Sequence, residues 1–192
     1  MNQDSSSRMP ELNLQPDDAI RWFRTPEDLR SPADPILREW LTDEGLLTGR
    51  LRRQCGVDFR LEVIEESFRQ SPGSRQDEIR RIVLWCGDQA CVYAETLLPE
   101  TTTAKLPWLR ELGKEPLGET LQRRLDARRG EFEYALLTPR QQPVELPVQI
   151  DINLWARRSE FHVGETSLLV TEIFLPGILE YATHGIPAED QN

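Results

Sequence analysis

Apolar positions change their spacing along the chain, and the changes predict its elements. Ile36, Leu37, Trp40 and Leu41 recur at helical spacing behind Asp34, whose side chain suits a helix cap, and Pro35, whose ring suits a first turn. Gly45 is the expected end of that helix. Leu46 to Gln54 reads as a second short helix with Gly56 as its stop. From Val57 the period shortens to two. Phe59, Leu61 and Val63 alternate with Asp58, Arg60 and Glu62, the pattern of a half-buried strand. Ile79 to Cys86 and Cys91 to Leu98 predict an antiparallel hairpin turning at GDQA and closed by Pro99.

Thr103 to Leu112 and Leu117 to Leu125 predict helices on either side of the breaker LGKEPLG, where Gly113 and Gly118 flank Pro116. Phe132 to Thr138, Val148 to Trp155 and on towards Val163, and Ser167 to Leu175 complete about six strands of ordinary length. Strands clustered with helices, without strict β-α-β alternation, predict an α+β fold with an antiparallel sheet. The polar ends are expected to be flexible tails, residues 1–20 and 183–192, around one domain over residues 21–182.

Composition narrows the function. With 192 residues, 38% of them hydrophobic, the chain can bury an interior pocket without disulfides or structural metal. Its 23 Lys plus Arg against 33 Asp plus Glu give a formal net charge of −10, the wrong sign for coating nucleic-acid phosphates. An anionic ligand would need a local arginine cluster to override that field. No signal-peptide pattern and no membrane-length apolar run is present, so a cytoplasmic protein is expected. Cys55, Cys86 and Cys91 read as three packed thiols, and with only two histidines no zinc site is expected.

Two charges interrupt apolar strands. In SLLVTEIFLP, alternation places Glu172 on the face of Leu168, Val170 and Phe174, while the opposite face is also mostly apolar. A carboxyl group there is either protonated or held by a cation or hydrogen-bond donor. An ion pair with Arg157 or Arg158 is the structural reading, and an active-site acid or base the functional one. In DEIRRIVLWC, Arg81 alternates with Val83 and Trp85, and Arg80 with Ile82, Leu84 and Cys86, so one arginine must share an apolar face. A planar guanidinium fixed on a strand suits capture of a carboxylate. The Leu117 amide, near a predicted helix start, can point at an anion. Neither His162 nor His184 lies in a recognisable nucleophile motif; His162 is expected on a strand surface and His184 in the tail.

The strings LWARRSEF and LLVTEIFLP, a preceding R-x-x-L-x-C strand, an LPE stop, LGKEPLGETL and the segment WLTDEGLLTGRL together resemble bacterial chorismate pyruvate-lyase of the ubiquinone pathway, over about residues 37 to 177. The resemblance implies a highly twisted six-stranded antiparallel sheet, flanking helices and an internal cavity. It implies elimination of pyruvate from chorismate to give 4-hydroxybenzoate, with no metal or organic cofactor. The family's carboxylate-binding arginine falls on Arg81 and its active-site glutamate on Glu172, and the backbone amides that hold the ring carboxylate fall on Leu47 and Leu117. A monomer acting on a small molecule, with neither nucleic acid nor membrane as partner, is expected.

The chain departs from the family where an A-R-T-x-x-P strand usually offers an arginine, because YAETLLP places Glu95 there. Alternation from Cys91 sets Cys91, Tyr93 and Glu95 on one face. A second cation for the enolpyruvyl carboxylate must then be absent or come from elsewhere. The competing class is a sensor domain of this fold that binds a small aromatic acid without turning it over. It ranks second because the polar stretch ahead of the first helix is shorter than a DNA-reading module needs.

Overall fold

The structure is a computed structural model that describes residues 19–25, 34–71, 75–124, 127–148 and 150–183. Most of both expected tails, and His184, lie outside these residues. Helix α1 (Pro35–Thr42) begins as its sequence dictates: the Asp34 carboxylate accepts from the amides of Ile36 at 2.8 Å and Leu37 at 3.3 Å. It ends before Gly45, because Asp43 turns extended and its carboxylate takes the Gly45 N–H at 2.8 Å. Helix α2 (Leu47–Cys55) stops at Gly56, whose φ of +57° suits glycine and whose N–H returns to the Arg52 carbonyl.

Strands β1 (Phe59–Ser71), β2 (Arg75–Cys86) and β3 (Gln89–Leu98) follow, and the β2–β3 hairpin turns at Gly87–Asp88. After helix α3 (Glu100–Lys105) and a 3-10 turn at Pro107–Glu111 comes helix α4 (Leu117–Arg124). The helix expected over Thr103 to Leu112 is thus split, since Pro107 has no N–H to continue it. Strands β4 (Arg128–Arg129), β5 (Glu133–Leu137), β6 (Leu154–Val163) and β7 (Thr166–Phe174) precede helix α5 (Gly177–Thr183). The strand expected from Val148 starts only at Leu154. Val148 and Ile152 are exposed in the proline-bearing connection before it, so their apolar character reports no sheet face.

All seven strands form one antiparallel sheet in the order β1-β2-β3-β7-β6-β4, with β5 also on β6. The α+β class and antiparallel sheet are as expected, with a seventh strand in the two-residue β4. Strand β7 is central, which explains why both its faces are largely apolar. One face, the inner, carries Ile82, Leu84, Val92, Phe174, Leu168 and Phe161 against Trp40, Leu41, Leu51, Leu121 and Ile178 of the helices. The outer face packs Val83, Tyr93, Ala156 and Ile173 against Leu137, Leu146 and Leu175.

Two irregularities set which side chains face where. The β1–β2 register shifts between Val63 and Glu65, and the β2–β3 register shifts between Leu84 and Trp85. The second shift leaves Cys91 with the inner cluster and Tyr93 with the outer one, so the common face expected for Cys91, Tyr93 and Glu95 is broken. The end of α2 lies against the end of β2, and Cys55 and Cys86 are joined by a disulfide with their Cα atoms 5.5 Å apart. The expectation of three thiols therefore holds for Cys91 alone. Burial pushes that thiol up to about 11, so it is not a ready nucleophile near neutral pH.

Candidate active site

On the inner face, Glu172 of β7 stands in one cross-strand row with Ala94 of β3, Ile82 of β2 and Arg157 of β6. The next row on that face holds Arg80, Thr96, Val170 and Ser159. Arg80 and Glu172 are therefore two strand spacings apart across the sheet, roughly 10 Å, and one repeat apart along it. Small Ala94 and Thr96 lie between them. The pocket above is lined by Arg80, Ile82, Ala94, Thr96, Val170 and Glu172 from the sheet, Leu46, Leu47 and Thr48 at the start of α2, Leu117, Gly118 and Glu119 at the start of α4, and Arg129 and Phe161.

The roof is made where the two helix starts meet. A Cβ on Gly118 would stand 3.0 Å from Leu46 Cδ2, so the close approach favours glycine. Arg52 pairs with Glu119 at 3.0 Å outside it. Among the described residues no side chain caps α2, leaving its first-turn amides to find another partner.

The register corrects the arginine. Arg81 lies beside Glu95 and Thr171 on the outer face, where its guanidinium donates to Glu95 at 2.8 Å, to Glu65 and to Glu145 at 3.1 Å. Although burial opposes it, Glu95 and Glu65 raise the Arg81 pKa. Adjacent strand residues point to opposite faces, and it is Arg80 that turns inward with Ile82 and Leu84. Glu95 faces away from the pocket for the same reason. Of the residues singled out in the sequence, Leu47, Leu117 and Glu172 share the pocket, and Arg81 does not. Arg80, 3% exposed, donates to the carbonyls of Gly113 at 2.5 Å and Glu115 at 3.4 Å and to Glu66 at 3.3 Å. It thereby ties the LGKEPLG loop, and with it the start of α4, to the sheet. Burial lowers its pKa, and Glu66 opposes that shift.

Arg157 is fully buried, and its Nε donates to Glu172 at 2.6 Å while Nη1 donates to the carbonyls of Trp40, Leu41 and Asp43. The ion pair foreseen for Glu172 thus exists, with Arg157 rather than Arg158. Arg158 lies on the outer face with Glu133. His162 is exposed, as expected for a strand surface.

A family model described as chorismate lyase matches residues 17–184. The chain belongs to the chorismate lyase family. A probable chorismate pyruvate-lyase of Cupriavidus pinatubonensis is 34% identical over 171 residues, covering 79% of this chain and 87% of its own. Another, of Shewanella frigidimarina, is 31% identical over 195 residues, covering 88% and 95%. Among solved structures, a possible transcriptional regulator, YydK of Bacillus subtilis, matches at 15% identity with a TM-score of 0.47, covering 69% of this chain and 64% of its own. Among the described residues no helix is long and apolar enough to cross a membrane.

Two further features of this chorismate lyase family member were not foreseen. Arg129 reaches the pocket from β4, a strand too short to leave a periodic signal. The roof also rests on Asp43, whose carboxylate accepts from Gly45 and from Arg50 at 3.0 Å while its carbonyl accepts from Arg157 at 2.7 Å. Burial raises the Asp43 pKa, but the Gly45 amide and the Arg50 cation outweigh it and leave the net shift downward. A depressed folded-state value stabilises the fold above the unfolded value and is lost as pH falls through the folded one. Asp43→Asn is therefore expected to lower the melting temperature at neutral pH and to shrink its fall between about pH 5 and about pH 2, read by thermal melts across that range. An unchanged acid profile would remove Asp43 from the roof's supports.

Proposed function

We propose that this protein is a chorismate pyruvate-lyase that eliminates pyruvate from chorismate to give 4-hydroxybenzoate for ubiquinone synthesis. The observation that carries this reading, within the family, is a pocket with Arg80 at one end of its sheet floor and Glu172 at the other. Arg80 clamps the ring carboxylate, assisted by the backbone amides of Leu47 and Leu117 at the starts of α2 and α4. Glu172 takes the hydroxyl on C4 and serves as the proton-transfer group.

The reaction balances without an added reactant. The bond from C3 to the ether oxygen breaks, the C4 proton leaves, the ring becomes aromatic, and the departing enolpyruvate takes up a proton to become pyruvate. Aromatisation makes the reaction strongly downhill, so the site's contribution is positioning and charge stabilisation, with no cofactor required. Arg157 supplies the countercharge that a buried carboxylate needs and fixes its orientation. The protein acts as a cytoplasmic monomer on a small molecule, without nucleic acid or membrane as a partner.

Purified protein given chorismate should release pyruvate and 4-hydroxybenzoate in equal amounts, with or without a chelator. Glu172→Gln keeps the shape but not the proton transfer, so turnover should fall by at least ~100-fold while 4-hydroxybenzoate binding is largely retained. Binding of both compounds with no product after hours would instead identify a sensor of the same fold. Unchanged turnover in Glu172→Gln would return Glu172 to a purely structural ion pair.

A further inference from the structure

Chorismate carries two carboxylates, and Arg80 can hold only the one on the ring. The other hangs from the ether on C3, beside the C4 hydroxyl assigned to Glu172, so its partner must lie at the Glu172 end of the pocket. The outer-face position of Glu95 and its pairing with Arg81 leave that strand with nothing to offer. Arg157 lies at this end, with its Nε held by Glu172 and its Nη1 by three carbonyls. Although its buried Nη2 also lacks a partner among the described residues, Arg157 does not line the pocket, whereas Arg129 does.

Arg129 is differently placed. Strand β4 pairs it with Phe161, and its guanidinium lies 4.6 Å from the Phe161 ring and 5.1 Å from the Phe132 ring. Nη1 donates to the carbonyls of Glu44 at 3.3 Å and Gly45 at 3.0 Å. Its Nε is buried and meets no hydrogen-bond acceptor among the described residues, and it forms no ion pair with a described carboxylate. Arg129 is half-buried, and Glu172 and Asp43 act on it through space rather than by an ion pair, so an anion in direct contact would stabilise a guanidinium that burial disfavours. Arg157 stands over the same Phe132 ring at 4.3 Å. The two cations repel each other, and an anion beside Arg129 would relieve that repulsion.

We infer that Arg129 binds the enolpyruvyl carboxylate, and so distinguishes the dianionic substrate from the monoanionic product. This rests on the chorismate lyase reading of the pocket. After the ether bond breaks, the three-carbon fragment is held by Arg129 and the aromatic acid by Arg80, so the two products leave from separate anchors.

The test compares two ligands across Arg129→Gln and Arg129→Lys in the full chain, using calorimetry for 4-hydroxybenzoate and steady-state kinetics plus calorimetry in a Glu172→Gln background for chorismate. Chorismate affinity should fall by about 30-fold or more in Arg129→Gln, the scale for loss of one buried charge-assisted bond, while 4-hydroxybenzoate affinity changes by less than about 3-fold. Arg129→Lys keeps the charge and should recover part of the loss. Equal weakening of both ligands would make Arg129 only a brace for the Glu44–Gly45 turn, and no change in either would remove it from the site; both outcomes overturn the inference while leaving the lyase reading intact. If the wild-type protein neither binds nor converts chorismate, the lyase reading falls, and this inference with it.

Discussion

Arg157→Met should destabilise the fold by about 3–5 kcal/mol, the cost typical of removing one partner from a buried ion pair. The residue has no solvent exposure and serves four acceptors: the Glu172 carboxylate and the carbonyls of Trp40, Leu41 and Asp43. Truncation leaves Glu172 as an uncompensated charge and frees the end of α1 from β6. Both penalties act on the same side of the sheet, so helix packing and pocket should loosen together. Denaturant unfolding measures the effect, and the double variant Arg157→Met/Glu172→Gln separates its parts. If the orphaned carboxylate dominates, the double variant should be more stable than the single one. A loss below about 1 kcal/mol in the single variant would show that water reaches Glu172 and replaces the guanidinium.

Arg80→Ala should lower affinity for both chorismate and 4-hydroxybenzoate by about 2–5 kcal/mol, whereas Arg81→Ala should leave both close to wild type. The contrast is sharp because the two residues are neighbours of the same chemistry on opposite faces. Arg80 carries the proposed carboxylate contact and also holds the Gly113 and Glu115 carbonyls, so its loss removes a cation and relaxes the loop that presents the Leu117 amide. Arg81 instead separates Glu65, Glu95 and Glu145. Its removal sets three carboxylates facing one another and should lower stability in a salt-sensitive way, with no effect on either ligand. Isothermal titration of both variants decides the matter. Retained affinity in Arg80→Ala, or loss confined to Arg81→Ala, would return the carboxylate site to the outer face.

The local signals were sufficient wherever a short stretch carried its own cause. Asp34 and Pro35 marked the start of α1, Gly56 the end of α2, and the alternation through Phe59, Leu61 and Val63 the start of β1. Glu172 stood out because a carboxylate among Leu168, Val170 and Phe174 needs a partner, and Arg157 was one of two cations near enough in sequence to provide it. The same reasoning failed where the pattern was locally symmetric. Arg80 and Arg81 each alternate with apolar residues, so period alone could not choose between them.

The sequence by itself determined the antiparallel α+β class, the two apolar faces of β7, and the presence of an acid and an arginine among apolar residues on separate strands. Only the tertiary structure decided that Arg80 and not Arg81 shares the pocket, that Glu95 faces away from it, that Arg129 enters it from a two-residue strand, and that Cys55 meets Cys86. The reason is geometric. Side-chain alternation fixes which residues of one strand point the same way, but which face then meets the helices depends on register between strands, and here register is shifted twice, at Val63/Glu65 and at Leu84/Trp85. Those shifts, and contacts between residues dozens of positions apart, are properties of the assembled sheet and leave no periodic trace in the chain.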